Sequence, residues 1–128
     1  MSELAKSDDY CVFEYMYRDA GNWKTYGALL LAGKARGMRN VIRDYCESGD
    51  WFVAEQVGIP SLCRQHWADC GDGPSDLDHA YHEFVDLRAA SEEEATSLAD
   101  SGSLVELLER MRAAARRWDV RLSPNCAL

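Results

Sequence analysis

The sequence predicts an α+β domain in which a small, mostly antiparallel sheet carries helices packed on one face. Three observations predict it. Apolar and polar residues alternate through 10–18, turn-forming residues separate that segment from a second apolar segment at 23–32, and two Ser-x-x-Glu sequences open helical patterns later in the chain. The expected order is β-β-α-β-β-α-α. With 128 residues and 47% hydrophobic content, we expect one domain, 1–128, with weakly ordered ends at 1–9 and 120–128.

The first two strands are predicted as a hairpin. The alternation from Tyr10 to Arg18 has the two-residue period of a strand, and its aromatic residues suit a half-buried sheet. Asp19 and Asn22 follow, whose side chains hydrogen-bond to nearby backbone in turns. The second strand ends in the sequence ALLLA at 28–32. A strand that is apolar on both faces is expected in the interior of a sheet.

The next segments change their period. From Met38 to Cys46 apolar residues recur at helical spacing, and Gly49 is expected just after the helix end. Aromatic and β-branched residues at 51–57 favour a third strand. Residues 61–78 are predicted as a long loop with at most one helical turn, a feature that often carries a function.

The remaining elements are predicted as a strand and two helices. Residues 79–88 alternate as a fourth strand, with Tyr81, Val85 and Leu87 on one face and His82 and Phe84 on the other. Capping boxes begin at Ser91-Glu92-Glu93-Glu94 and at Ser103-Leu104-Val105-Glu106, so helices are expected from there to 99 and to 118.

The charge is concentrated in one part of the chain. The net charge is −8, and residues 69–100 hold ten acidic residues against one basic residue, Arg88. Such a distribution disfavours binding to nucleic acid or to an anionic membrane, and it complements a protein with a basic surface. A solvated face is the ordinary alternative. The predicted contact set consists of acidic residues from this segment: Asp72, Asp76, Asp78, Glu92, Glu93 and Glu94.

The hairpin turn is a second candidate contact site, formed by Arg18, Asp19, Asn22 and Trp23. Trp, Tyr and Arg dominate the energetics of protein contacts. The structural alternative is favoured: Asp19 and Asn22 shape the turn, and Arg18 pairs with Glu14 or Asp19.

Histidines and cysteines offer two weaker candidates. Imidazole and carboxylate groups can bind a transition metal, and the alternative site is His66, His79, His82 and Glu83. On a strand, His79 and His82 would point to opposite faces. Cys63 or Cys70 with a histidine could form a nucleophilic pair, although nothing local marks either thiol as activated.

Other signatures are absent from the sequence. It has no G-x-G-x-x-G, no Walker loop and no G-x-S-x-G, so no catalytic residue and no cofactor is predicted. The apolar segment 28–32 is far shorter than the roughly 20 residues that span a bilayer. The N-terminal residues lack the apolar segment of a signal peptide. We therefore expect a cytoplasmic protein with free thiols.

Three short blocks carry a resemblance: YMYRDAGNWK at 15–24, FVAEQVG at 52–58 and HAYHEF at 79–84. They resemble a loose group of small uncharacterised bacterial proteins. The resemblance implies a bacterial or mobile-element origin and implies no activity, cofactor or catalytic residue.

These observations favour a non-enzymatic protein-interaction module. One specific form is an inhibitor, from a phage or plasmid, that covers the basic groove of a host defence protein. The alternative is a metal-dependent enzyme or metal-binding protein that uses the histidine cluster. The sequence leaves the oligomeric state open.

Overall fold

The computed structural model describes residues 9–19, 21–70, 81–119 and 121. In these ranges five strands form one sheet in the order β3-β4-β1-β2-β5, accompanied by four α-helices, which confirms the α+β class. The strands are β1 (Tyr10–Arg18), β2 (Lys24–Ala32), β3 (Trp51–Phe52), β4 (His82–Ala89) and β5 (Asp100–Ser103). The helices are α1 (Arg39–Tyr45), α2 (Cys63–Cys70), α3 (Glu92–Ser97) and α4 (Leu104–Ala114).

The predicted hairpin is the centre of the sheet. β1 pairs antiparallel with β2 from Tyr10↔Ala32 to Arg18↔Lys24, and its other edge pairs antiparallel with β4. In the turn, Asn22 takes the left-handed conformation (φ 70°). Its N–H donates to the Asp19 carbonyl at 2.9 Å. β2 has a strand on both sides, as its apolar run predicted.

The inner face of the sheet holds the main core. Phe13 and Tyr15 of β1 point to this face. The ring centre of Phe13 lies 5.2 Å from that of Phe84 and 5.9 Å from that of Phe52. Ile42 of α1 and Leu107 and Met111 of α4 complete the cluster. Burial of such a side chain stabilises the fold by about 1.5–3 kcal/mol.

A small apolar cluster covers one end of the outer face of the sheet. Val12, Leu30 and Ala90 form a small cluster there, and Leu98, just after α3, packs against them. Helices α1, α2 and α4 lie against the inner face, whereas α3 is attached to the outer face. The end of the outer face nearest the β1–β2 turn carries no helix of the described ranges.

The segment predicted as a third strand is shorter than expected. Only Trp51–Phe52 pairs as a strand, and 54–57 form a 3₁₀ helix. Phe52, Val53 and Ala54 are all fully buried. An edge strand with one covered face buries alternate side chains, so the burial of three in succession accompanies the change from strand to 3₁₀ helix. Gly49 (φ 90°) lies in the tight turn between the bridged residues Glu47 and Trp51, and not at the end of α1 as expected.

The prediction of a long loop at 61–78 was also wrong for the first half of that segment. Residues Cys63–Cys70 form a two-turn helix, α2, and 71–78 lie outside the described residues. Its buried positions include a histidine, His66, so the apolar period that identifies a helix is missing.

The side chains of β4 do not alternate strictly between the two faces of the sheet. Tyr15 pairs with Phe84 whereas Glu14 pairs with Asp86, so a bulge at Val85 adds one residue. Phe84 and Leu87 consequently both face the core, at 3% and 2% exposure. The prediction placed them on opposite faces because it assumed an unbroken two-residue period.

The final elements contain one strand that was not predicted. Asp100–Ser103 pairs parallel with β2 through Leu30↔Asp100 and Ala32↔Ser103. Its sequence, DSGS, has no strand-forming residue, so only backbone pairing makes it a strand. Ser91 and Ser103 cap α3 and α4 as expected. Ser91 forms the full reciprocal capping box with Glu94, whereas the Ser103 side chain only accepts a hydrogen bond from the Glu106 N–H.

The last helix ends before its predicted limit. α4 stops at Ala114, and Arg116 has a positive φ of 61°. Trp118 nevertheless packs on the core, where its Nε1–H donates to the Tyr45 carbonyl at 2.9 Å. Among the described helices, none has both the length and the apolar content needed to cross a bilayer.

Candidate functional site

The acidic contact set is divided by the structure. Asp72, Asp76 and Asp78 lie outside the described residues, while Glu92, Glu93 and Glu94 form the first turn of α3. Within the described part of the chain, Glu92 and Glu93 are exposed and form no ion pair. They remain available to a partner.

Glu94 has a structural role. It accepts two hydrogen bonds from the Arg88 guanidinium, both 2.7 Å, and one from the Ser91 N–H at 3.0 Å. Arg88 also reaches Glu14 at 3.3 Å. The Arg88 hydrogen bonds, followed by the Ser91 N–H, lower the pKa of Glu94 from its ordinary 4.5 to about 2.

The residues of the hairpin turn have separate roles. Asp19 and Asn22 shape the turn, as predicted. Arg18 does not pair with Glu14 or Asp19: its Nε lies 3.1 Å from Glu83 Oε2 on the neighbouring strand, and Glu14 pairs with Arg88. Trp23 is 67% exposed and is free for contact.

His66 joins α2 to this turn. Its Nε2 lies 2.9 Å from Asp19 Oδ2, and its Nδ1 lies 2.8 Å from Thr25 Oγ1. An ionised carboxylate only accepts, so Nε2 carries the proton and, on a neutral ring, Nδ1 accepts from the Thr25 hydroxyl. Burial alone would raise the pKa of Asp19, but hydrogen bonds from His66 and from the N–H groups of Trp23 and Gly21 hold that pKa below its ordinary value.

Hydroxyl, imidazole and carboxylate in series also activate the nucleophile of acyl-transfer enzymes. Here the Thr25 hydroxyl is closed off, since Thr25 is 7% exposed and His66 1% exposed. The rings of His66 and Tyr17 are nearly perpendicular, with their centres 4.9 Å apart. The arrangement therefore has a structural role: it holds α2 against the β1–β2 hairpin.

Two of the remaining metal and thiol candidates, His82 and Cys63, are buried. His82 is fully buried, and its Nε2 accepts the Leu62 N–H at 3.0 Å, while His79 lies outside the described residues. The described residues contain no group of three or more His, Cys, Asp or Glu side chains placed to hold a metal ion. Cys63 is 4% exposed, and the side chain of Cys70 is not among those described. Burial raises the pKa of Cys11 to about 11 and that of Cys46 to about 12, as expected of core thiols.

The structure reveals a surface that the sequence did not single out. The strand pairings Trp51↔Glu83, Glu83↔Met16 and Met16↔Tyr26 place four residues in one row across β3, β4, β1 and β2. The neighbouring residues Phe52, His82 and Tyr15 are buried in the core, so this row faces outward. We call Trp51, Glu83, Met16 and Tyr26 the outer aromatic row.

The two aromatic members of the outer aromatic row are accessible, whereas Met16 is 9% exposed. Tyr26 is 65% exposed and Trp51 is 44% exposed. The Trp51 ring contacts the Tyr81 ring, with their centres 5.5 Å apart and their planes tilted by 37°. Four strands at a spacing of about 4.8 Å make the row about 14 Å wide. Alternation in the sequence separates Met16 from the face that carries Tyr15, but it could not join Met16 to Trp51, 35 positions away in the chain.

Comparisons with known proteins add no relative. No protein-family model matches the chain, and no curated protein and no solved structure is significantly similar to it. The resemblance of the three sequence blocks stays a prediction.

Proposed function

We propose that this protein is a non-enzymatic protein-interaction module and that the outer aromatic row, with Trp23 in the adjoining β1–β2 turn, is its contact surface. The observation that carries the proposal is the exposure of Trp23, Tyr26 and Trp51 at the end of the sheet nearest the β1–β2 turn, at 67%, 65% and 44%. Together with Val105 at 63%, they are the exposed large hydrophobic side chains of the described residues. Trp and Tyr supply most hot spots of protein interfaces.

The row has the composition of an interface centre. Trp51, Tyr26 and Met16 are of the types enriched there. The charged member, Glu83, is neutralised by Arg18 at 3.1 Å, so covering it would not bury an unpaired carboxylate.

Charge indicates the kind of partner. Glu92 and Glu93 lie on α3, the helix whose Glu94 and following Leu98 attach it to the outer side of the sheet. From Val12, beside Leu98, to Met16 is four residues along β1, or about 13 Å. One interface can therefore include both the aromatic row and these carboxylates. We propose a protein partner with a basic surface, such as one that itself binds nucleic acid; an inhibitor that covers such a groove is the specific form.

Affinity capture with matched variants tests the contact surface. Wild-type protein, the double variant Trp23→Ala/Tyr26→Ala and the control Val105→Ala would be used as baits in an extract of cells that carry the gene. A captured protein would then be purified and titrated against each bait by calorimetry. We expect binding to weaken at least about tenfold for the double variant, since truncating a hot-spot residue costs about 2 kcal/mol. The control should change affinity by less than about twofold.

Two results would contradict the proposal. One is a purified partner that binds the double variant and the wild type equally well. The other is self-association of the wild type, measured by light scattering, that the double variant abolishes, since the row would then serve a second copy of the chain. The charge component is tested separately by Glu92→Gln/Glu93→Gln, which should weaken binding and flatten its salt dependence.

A further inference from the structure

A second surface feature lies away from the outer aromatic row. A pocket of about 670 Å³ opens where the loop between β2 and α1 passes the last residues of β4. Its polar lining consists of basic side chains, an amide and a phenol: Lys34, Arg36, Arg39, Arg88, Asn40 and Tyr10. The lining residues, all from the described part of the chain, include no acidic side chain. In a chain of net charge −8 this is a local reversal of sign.

Two of the four cations are held and two are not. Arg39 pairs with Asp86 at 2.6 Å, and Arg88 is bound by Glu94 and Glu14. Lys34 and Arg36 are exposed, and neither forms an ion pair with any described residue. The pocket therefore keeps two positive charges that no described carboxylate neutralises.

The backbone of β4 adds a donor. β3 pairs with His82 and Glu83 only, so the later residues of β4 have a strand partner on one side. The Ala90 N–H donates to the Tyr10 carbonyl of β1 at 3.0 Å. Bonding directions alternate along an antiparallel strand, so the N–H of Ala89 points away from β1, toward the pocket side. Backbone N–H groups and arginine are the usual donors to oxyanions.

The rest of the lining is apolar. Leu87, at 2% exposure, lines the pocket together with Ala35, Ala89 and the half-buried Tyr10. Apolar walls with a few convergent polar groups, in a volume of roughly 300–1,000 Å³, are typical of small-molecule sites.

We propose that this pocket binds a phosphate-bearing small molecule of the nucleotide class. The phosphate lies between Lys34 and Arg36, whose two charges match a phosphate dianion, and the planar ring contacts Tyr10 and the apolar walls. The site is separate from the outer aromatic row and does not depend on the proposed protein-binding function.

Calorimetric titration with three probes tests this site: adenosine monophosphate, adenosine and inorganic phosphate. We expect the monophosphate to bind more tightly than adenosine and to be displaced by inorganic phosphate. In Lys34→Ala/Arg36→Ala its affinity should fall at least about tenfold, because each charge-assisted hydrogen bond contributes about that factor. The control Arg64→Ala/Arg112→Ala removes the same charge from exposed positions outside the pocket lining and should change affinity less than about twofold.

Amide chemical shifts of the wild-type protein provide a second readout that needs no variant. Addition of the monophosphate should shift Gly37 and Ala89, which line the pocket, and leave Gly27 on the sheet unchanged. Equal binding of adenosine and its monophosphate, equal weakening in the two double variants, or shifts centred outside the pocket would each overturn the proposal.

Discussion

At the scale of single residues, His66 shows how a polar side chain can hold two elements together. Both of its ring nitrogens are hydrogen-bonded, one to Asp19 in the turn and one to Thr25 in β2. A buried donor or acceptor that loses its partner costs about 1–3 kcal/mol. His66 therefore contributes to stability through contacts that no apolar residue could replace.

The substitution Thr25→Val tests this role. It keeps the shape of the side chain and leaves His66 Nδ1 without its hydroxyl partner, so the free energy of unfolding should fall by about 1–2 kcal/mol. Thr96→Val is the matched control, since the Thr96 hydroxyl is exposed on α3. Urea unfolding measures both variants. Equal losses in the two proteins would show that the hydrogen bond to His66 contributes nothing of its own.

Glu94 gives a prediction for the dependence of stability on pH. Its pKa of about 2 in the folded protein lies below its ordinary 4.5, so the unfolded chain binds more protons in this interval. The stabilisation is therefore present above the unfolded pKa and is lost as pH falls through the folded pKa. Because the side chain is 26% exposed, we expect only about 1 kcal/mol after solvent screening.

Unfolding free energies of Glu94→Gln and Glu93→Gln, measured from about pH 6 down to about pH 2, check this prediction. Glu94→Gln should be less stable than wild type at the upper end, and the difference should shrink toward the lower end. Glu93→Gln removes the same charge from a position without an ion pair, so it should follow the wild type. Parallel curves for wild type and Glu94→Gln would contradict the assignment.

Residue roles were predictable from sequence where the partner is close in the chain. Asp19 and Asn22 in the turn and Glu94 in the capping box act within four positions of their partners. His66 and Asp19 are 47 positions apart, and Arg18 and Glu83 are 65 apart. Spacing alone could not pair them, because those contacts depend on how the elements pack.

At the scale of elements, the joint between β2 and the segment before α2 is close-packed. A Cβ added to Gly27 would lie 2.8 Å from Leu62 Cδ2 and 2.9 Å from Tyr15 Cε1. Tyr15 cannot move freely, since its hydroxyl donates to the Pro60 carbonyl at 2.7 Å. Glycine is therefore required here for space.

Gly27→Ala should consequently destabilise the fold by about 1–3 kcal/mol, the usual cost of overpacking. Gly37→Ala cannot serve as the control, because the φ of 76° at Gly37 would itself strain an alanine. The control is Ala28→Gly on the exposed side of β2, which changes the backbone entropy without a steric clash. Thermal unfolding compares them. A neutral or stabilising Gly27→Ala would mean that Leu62 moves aside without cost.

The elements that sequence patterns predicted well are those with a regular apolar period. The alternation in β1 and the stripe in α4 each continue for two or more turns or pleats, and both elements formed. The missed features are α2, β5 and the bulge in β4. Helix α2 buries a polar side chain, β5 is held by backbone pairing alone, and the bulge in β4 is a single extra residue. None of these features produces a hydrophobic period in the sequence.

At the scale of the whole molecule, the crowding of acidic residues in 69–100 overstates the free negative charge of the surface. Three of those carboxylates are bound by basic side chains: Glu83 by Arg18, Asp86 by Arg39 and Glu94 by Arg88. Two of these bases come from the first third of the chain. Folding thus redistributes charge that appears local in the sequence, while Glu92 and Glu93 keep theirs.

The parallel strand β5 has a consequence for synthesis on the ribosome. β2 is complete at Ala32, but its second neighbour begins only at Asp100, so about seventy further residues must emerge before that edge is covered. During this interval Leu29, Leu30 and Leu31 lie in an unprotected strand, the kind of segment that seeds aggregation of nascent chains. In the finished protein, the short polar strand β5 covers this edge of β2 and reduces its pairing with strands of other chains.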